Sequence, residues 1–408
     1  MNCIIIKGLN NRVCSGLSRR GPYDAGPPCA GDPARALRLF CLYEYFEKMN
    51  ITQTRNQQTK PKSTPTSVWM LGLIFMGILL FLLDIALGSV HIPLDEVVNI
   101  ALGLGSENEA WEKIITLIRI PKAITAVLAG CALSVAGLQM QTLFRNPLAG
   151  PSVLGITAGA SLGVAVVMLS SGVATSIYTI KGLGLSGSWL LVIAATLGAA
   201  LVLLLILAVS TRIRDNVVLL IVGIMVGNIT ISLVSIWQYY SNPQQIQDYL
   251  IWTFGSLGGV TSQHLTVISL VVVLGIVLTL AASKALNALL LGENYAQSLG
   301  TNVQHARILI IVATALLAGG ITAFCGPIGF VGIAVPHLAR SLFHTSDHRV
   351  LIPAVCLIGA ALMLGCDILA QLPGSQETLP INAVTALIGS PVVIWVIVQR
   401  NNLKLSFS

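Results

Sequence analysis

The run Arg307-Ile-Leu-Ile-Ile-Val-Ala-Thr-Ala-Leu-Leu-Ala-Gly-Gly-Ile-Thr-Ala-Phe-Cys325-Gly-Pro-Ile-Gly-Phe-Val-Gly-Ile-Ala-Val-Pro-His337-Leu-Ala-Arg340-Ser-Leu-Phe343 is nearly continuous apolar sequence. It is broken only by Cys325-Gly326-Pro327 and Gly329, so it reads either as one long kinked helix or as two short ones. Elsewhere apolar runs lie at 68–88, 123–143, 152–170, 187–210, 216–238, 263–282, 350–370 and 381–398. Each is near the ~20 residues that a helix needs to cross a bilayer core. Split in two, the opening stretch supplies crossings at 307–324 and 328–343 and brings the total to ten. Left whole, it gives nine.

Charge decides between them. With ten crossings and both termini in the cytosol, twelve Lys and Arg residues from Arg55 to Lys404 fall on the cytosolic side. Only Lys113, Arg119, Lys122 and Lys181 fall outside. That asymmetry follows the positive-inside rule, whereas nine crossings would divide Arg340, Arg349 and the C-terminus badly. The expectation is an all-α polytopic membrane protein with ten transmembrane helices over 68–400.

Composition agrees. Of 408 residues 55% are hydrophobic and 10% charged, where a soluble domain carries about 25% charged residues. The net charge of +7 is that of topology signals and not of a nucleic-acid face. The eight cysteines show neither CxxC spacing nor a His/Cys cluster: Cys3, Cys14, Cys29 and Cys41 precede the apolar part, and Cys131, Cys325, Cys356 and Cys366 lie within it. No metal site, cofactor or catalytic residue is called for. Residues 1–67 form an extension and polar leader without helical period, and 1–48, rich in Gly, Pro and Arg, read as a disordered tail or an upstream gene-model extension.

One polar island interrupts the apolar pattern: Leu289-Leu-Leu291-Gly292-Glu293-Asn-Tyr-Ala296-Gln-Ser-Leu299-Gly300. Its Glu, Asn, Gln and Ser would lose their water in lipid. The count of crossings places it on the cytosolic side, within an element spanning 286–306. The chain has no G-x-x-x-x-G-K-S/T phosphate loop, so any ATP is bound by another polypeptide. It also lacks the series of membrane carboxylates expected of an ion-driven carrier. Asp84 and Asp367 are the candidates, and both read as interfacial. His337, near Arg340, reads as a packed or snorkelling residue, while His91 and His264 fall outside, where a lone histidine is rarely a ligand.

Arg119 and Lys122 break the charge rule at the outer mouth of the second crossing, with Pro121 suited to a first helical turn. Two exposed cations there could anchor head groups or receive a partner's carboxylates. Phe144 to Pro151 reads as a tight turn, and Trp252 to Gly259 as a re-entrant or interfacial helix. Gly155, Gly159 and Gly163 form a small-residue ladder suited to close helix packing, inside the bundle or at a dimer interface.

Together these segments resemble the FecCD-type permeases, the membrane subunits of type II ABC importers for ferric siderophores, haem and cobalamin. The resemblance rests on Arg119-Ile-Pro-Lys122, Phe144-Arg-Asn-Pro-Leu-Ala-Gly-Pro151, the Gly155–Gly163 run and the island. It extends through Gly326-Pro-Ile-Gly-Phe-Val-Gly-Ile-Ala-Val-Pro-His-Leu-Ala-Arg340 and Glu377-Thr-Leu-Pro-Ile-Asn-Ala-Val-Thr-Ala-Leu-Ile-Gly-Ser-Pro391, covering about 68–400. It implies a homodimer in the inner membrane, two cytosolic ATP-binding subunits and an outer substrate-binding protein. The element 286–306 would then be a coupling element. Its Leu291, Gly292, Glu293, Ala296, Leu299 and Gly300 would couple to the ATPases, Arg119 and Lys122 would meet the binding protein, and Asp215-Asn216 would form a cytosolic gate loop. Three positions depart from the pattern: Gln371 where Arg is common, Lys122 where Arg is usual, and Val392-Val393 where an aromatic is frequent. The implied cargo is a ferric siderophore or haem complex, with cobalamin the alternative. An ion-coupled carrier and a non-transporting scaffold are the readings from other classes.

Overall fold

The computed structural model describes residues 66–403 apart from 89, 91, 102, 106–107, 170–186, 214 and 372–377. The leader up to 65, His91, Lys181 and Glu377 therefore lie outside the described residues. Within them the chain is helical and has no strand. In order come α1 Thr66–Ala86, α2 Leu94–Ala101, α3 Glu109–Leu143, α4 Ile156–Leu169, α5 Gly187–Arg212, α6 Asn216–Tyr239 and α7 Pro243–Thr253. They are followed by α8 Ser262–Ala281, α9 Ser283–Leu290, α10 Glu293–Ser298, α11 Val303–Cys325, α12 Val331–Phe343, α13 His348–Ala370 and α14 Ile381–Leu403.

Among the described residues, seven helices are long and apolar enough to cross a membrane: α1, α3, α5, α6, α8, α11 and α13. Three shorter apolar segments, Ile156–Leu169, Val331–Phe343 and Ile381–Trp395, match the remaining expected crossings. The ambiguous stretch does divide at Gly326, whose φ of +77° suits glycine, and a β-carbon there would sit 2.6 Å from the Trp252 carbonyl oxygen. The shortage falls on one side only. α11 has a full 23 residues, while the 13 residues of α12 reach only about 20 Å at 1.5 Å per residue.

Residues 326–330 link the two helices as irregular backbone, and distant residues supply partners at this break. Ser256 N donates to Cys325 O at 2.8 Å, and Gly329 N donates to Asn382 Oδ1 at 3.0 Å. Irregular backbone at membrane depth is tolerated where protein groups satisfy it in this way. The glycine-rich stretch after Trp252 behaves similarly: the helix precedes it, as α7, and 254–260 form an irregular turn against Cys325. The expectation of a helix over Trp252–Gly259 is thus corrected.

A second correction concerns α3. It does not begin at Pro121 but at Glu109, capped by the Asn108 side chain, and runs 35 residues. A proline inside a helix removes one hydrogen bond and crowds the preceding turn. Here a π-helical turn, Ile115–Arg119, widens the helix immediately before Pro121 and absorbs that conflict. The early start draws Arg119 into the bundle.

Glycines set the tightest approaches. A β-carbon at Gly163 would strike the Ala194 carbonyl of α5, and one at Gly130 the Gly359 carbonyl of α13. The Gly155–Gly159–Gly163 ladder is spent inside this chain, against α5 and α6. Two apolar cores result. One joins α1, α2, α3, α8, α12, α13 and α14; the other joins the end of α3 with α4, α5, α6, α7, α9 and α10, and α11 contributes to both.

Candidate functional site

The polar island folds as the helix pair α9 and α10. Gly292, at φ +107°, makes the break between them, and α10 ends in a left-handed turn at Gly300, φ +80°. Thr301 N donates to Ala296 O at 3.0 Å and Gly300 N to Gln297 O at 2.9 Å, the two bonds of a Schellman end. Both glycines are therefore needed for backbone conformation, not for closeness: nothing lies within 4 Å of a β-carbon built on Gly300.

The two faces of the pair differ sharply. Leu291, Tyr295 and Leu299, spaced at i, i+4 and i+8, are 62%, 51% and 60% exposed. Ala296 is fully buried. The island's apolar residues thus divide between two faces, and the outward residue between the leucines is Tyr295. Its four-residue spacing from each leucine was the available signal.

Glu293 points inward and ties the island down. Its Oε1 lies 2.8 Å from Arg307 Nη2 of α11 and accepts the Asn216 Nδ2 hydrogen bond of α6 at 2.6 Å. Asn216 Nδ2 also donates to Leu143 O at the end of α3, and Arg307 Nη1 to Ile213 O at 3.0 Å. The expected gate pair therefore divides in role. Asp215 caps α6, accepting from Val217 N at 2.7 Å, while Asn216 joins three elements. A cleft of about 280 Å³ opens behind α10, lined in part by Ser210, Thr211, Gln297, Gln304 and Arg307.

At the opposite end of the bundle lies a larger cleft, about 510 Å³, bordered by Arg119, Lys122, Phe254, Asp367, Gln371 and Ile381. Arg119 and Lys122 are not the exposed pair the sequence led one to expect. Arg119 is 7% exposed and donates to Ile85 O at 2.8 Å, Ala86 O at 2.9 Å and Val90 O. A cation there satisfies the orphan carbonyls at the C-terminus of α1 and complements its dipole. Lys122 Nζ sits 3.0 Å from Asp367 Oδ1. Asp84 and Asp367, near the ends of α1 and α13, are likewise buried, and Gln371 Nε2 bridges them, 3.0 Å from each. The glutamine that departs from the family pattern thus donates to two carboxylates within this chain. His337 is packed, with Nε2 2.7 Å from Pro147 O, and His264 lies between the rings of Trp189 and Phe324.

A bundle of long apolar helices, with clefts at both ends and an apolar-faced polar helix pair at one of them, is a polytopic membrane protein. The chain belongs to the FecCD transport family, whose sequence profile matches residues 75–399. It is 37% identical over 333 residues to the vitamin B12 import system permease protein BtuC of Klebsiella pneumoniae, covering 81% of this chain and 93% of that one. Over 329 residues it is 35% identical to the hemin transport system permease protein HmuU of Yersinia pestis, covering 80% and 96%. A solved structure, described as an inward-facing conformation of a putative metal-chelate type ABC transporter, superposes with a TM-score of 0.70 at 26% identity, covering 82% of this chain and 99% of that one. The protein is accordingly a multi-pass permease subunit of a type II ABC importer, an assembly that includes ATPase and substrate-binding partners.

Proposed function

We propose that this permease imports a metal–organic complex, a ferric siderophore or haem iron chelate, across the inner membrane by alternating access driven by two separate cytosolic ATP-binding subunits. The observation that carries the coupling half of this reading is the island's outward stripe, Leu291, Tyr295 and Leu299, exposed beside the inward clamp of Glu293. An apolar stripe on a polar element outside the apolar spans is a docking surface for another protein. The clamp passes movement of that surface to α6 and α11. A nucleotide-dependent change in the ATPase pair shifts the permease only if the contact differs between the two states.

Two copies of the chain form the path between them, with both termini in the cytosol, the side to which the charge asymmetry assigns the island. The outer binding protein seats over the larger cleft. Arg119 and Lys122 serve that docking by holding the rim in shape, since their own charges are engaged by Asp367 and the carbonyls of α1. The cargo class is supported by the relatives' names, hemin for one and vitamin B12 for another. Cobalamin is the second reading, favoured by the 37% identity to the vitamin B12 permease protein.

The decisive experiment introduces Leu291→Glu and Leu299→Glu together and measures co-purification of the ATPase subunits with the permease. Loss of co-purification, with the bundle still folded, is expected; wild-type recovery would remove the stripe from the docking surface. Uptake of labelled haem, ferric siderophore and cobalamin by the reconstituted importer then separates the cargoes.

A further inference from the structure

Glu293 is not the island's only anchor. Asn287, on α9, is held by three hydrogen bonds to the start of α13. Its Oδ1 accepts from His348 N at 2.9 Å and contacts His348 Nδ1 at 2.7 Å, while its Nδ2 donates to Asp347 Oδ1 at 2.6 Å. His348 is fully buried, and its Nε2 lies 2.9 Å from Thr142 Oγ1 in the last turn of α3. The Thr142 hydroxyl also lies 2.9 Å from Leu138 O of its own helix. The chain of contacts runs from the island, through Asn287 and His348, to both α13 and α3.

Those two helices are joined again at the far end, where Lys122 of α3 meets Asp367 of α13 at 3.0 Å. Between these two junctions they touch backbone to backbone, because neither Gly130 nor Gly359 leaves room for a β-carbon against the other. Thr142 and Lys122 are twenty residues apart on one helix, about 30 Å at 1.5 Å per residue. A pair pinned at both ends and in backbone contact at Gly130 and Gly359 between them has little freedom to shear.

We infer that Asn287 and His348 are positioning residues that connect the island to a rigid α3–α13 strut, and that this strut carries the island's movement to the cleft at the opposite end. The inference rests on the island being the ATPase-docking element. It gives the island two outputs on different helices: Glu293 drives α6 and α11, and Asn287 drives α3 and α13. α13 and most of α3 lie in one apolar core and α6 in the other, while α11 contributes to both. Displacement of the island thus acts on α3 and α13 as well as on α6.

The test uses the complete importer in lipid nanodiscs and proteoliposomes, with spin labels carried by non-natural amino acids at Tyr240, just past α6, and Leu369, near the end of α13; both positions are exposed. In the wild-type complex the distance between the labels changes when ATP is added. Asn287→Ala is expected to leave ATPase co-purification and ATP hydrolysis in place, to suppress that distance change, and to cut cargo delivered per ATP by about tenfold, a coupling effect of ordinary size. Exchanging donor and acceptor through Asn287→Asp with Asp347→Asn keeps the acceptor for His348 and the hydrogen bond to position 347, and is expected to restore both readouts. A wild-type distance change and wild-type cargo-to-ATP ratio in Asn287→Ala overturn the inference. So does loss of co-purification in that variant, which would make Asn287 part of the docking surface itself. Failure of Leu291→Glu with Leu299→Glu to release the ATPases would instead strike the docking reading on which the inference stands.

Discussion

Glu293 is a structural clamp and, in the function proposed above, also a joint. Its partner Arg307 has a side chain only 3% exposed, so removing the carboxylate leaves a guanidinium in a site with little water. Breaking a buried pair from one side costs about 3–5 kcal/mol, and the partial exposure of Glu293 puts the expected loss at the lower end. Glu293→Ala should therefore lower the thermal midpoint of the detergent-solubilised permease, and Glu293→Met combined with Arg307→Met should recover most of it. The double variant recovers stability but not transport, because the link to α6 through Asn216 is still missing. Arg119→Glu belongs with this case. It sets a carboxylate against three carbonyl oxygens and is expected to lower folded yield, measured by size-exclusion profile, and not merely to weaken binding-protein affinity. Asp347, outside the spans, is held below its ordinary 3.8 by the Arg349 backbone N–H first and the Asn287 amide next. Because its folded value is the lower one, its stabilising contribution is complete above that ordinary value and is lost as pH falls through the folded one. The sequence located Glu293 and Arg119 but misjudged the setting of Arg119. Pro121 usually marks a first turn, and nothing in the composition announces a π-turn that lets a helix run past it.

Helix lengths were the part of the fold most open to sequence reading, and their ends the least. Gly326 was visible as a break, but the halves of the stretch are equally apolar on both sides of it. Which half is short depends on Ser256 and Asn382, distant residues that satisfy the non-helical backbone. Similarly, the island was recognisable by polarity, whereas its two faces depend on which side the bundle covers. Glycine substitutions test these elements separately. Gly326→Leu meets both a positive φ and the Trp252 carbonyl, and is expected to abolish folded protein as judged by expression and monodispersity. Gly300→Leu meets only the backbone term, roughly 1–2 kcal/mol. It should spare the bundle, fray the end of α10 and raise the ATP hydrolysed per cargo molecule delivered; unchanged stoichiometry would show that Leu299 is held in place by other means.

The whole molecule is asymmetric in how it meets its surroundings. The described residues between 66 and 403 belong to one compact unit, and the family match spans 75–399. Removal of 1–48 is accordingly expected to leave uptake intact, with transport by the shortened chain as the measure. Within that unit, α1 is the span that gives least of itself to the interior. Its apolar window is 11% buried, against 78% for that of α3. Its 21 residues extend about 31 Å, close to the hydrocarbon thickness of an average bilayer. A helix so matched and so little enclosed within this chain feels bilayer mismatch at a cost of fractions of a kcal/mol per Å. Its C-terminus, however, is tied by Arg119 to the rim of the larger cleft. Bilayer thickness is thereby expected to act on the rim of that cleft, and uptake in proteoliposomes should pass through an optimum as acyl-chain length varies. Arg119→Gln is expected to flatten that optimum, because acyl-chain composition would reach the importer through Arg119.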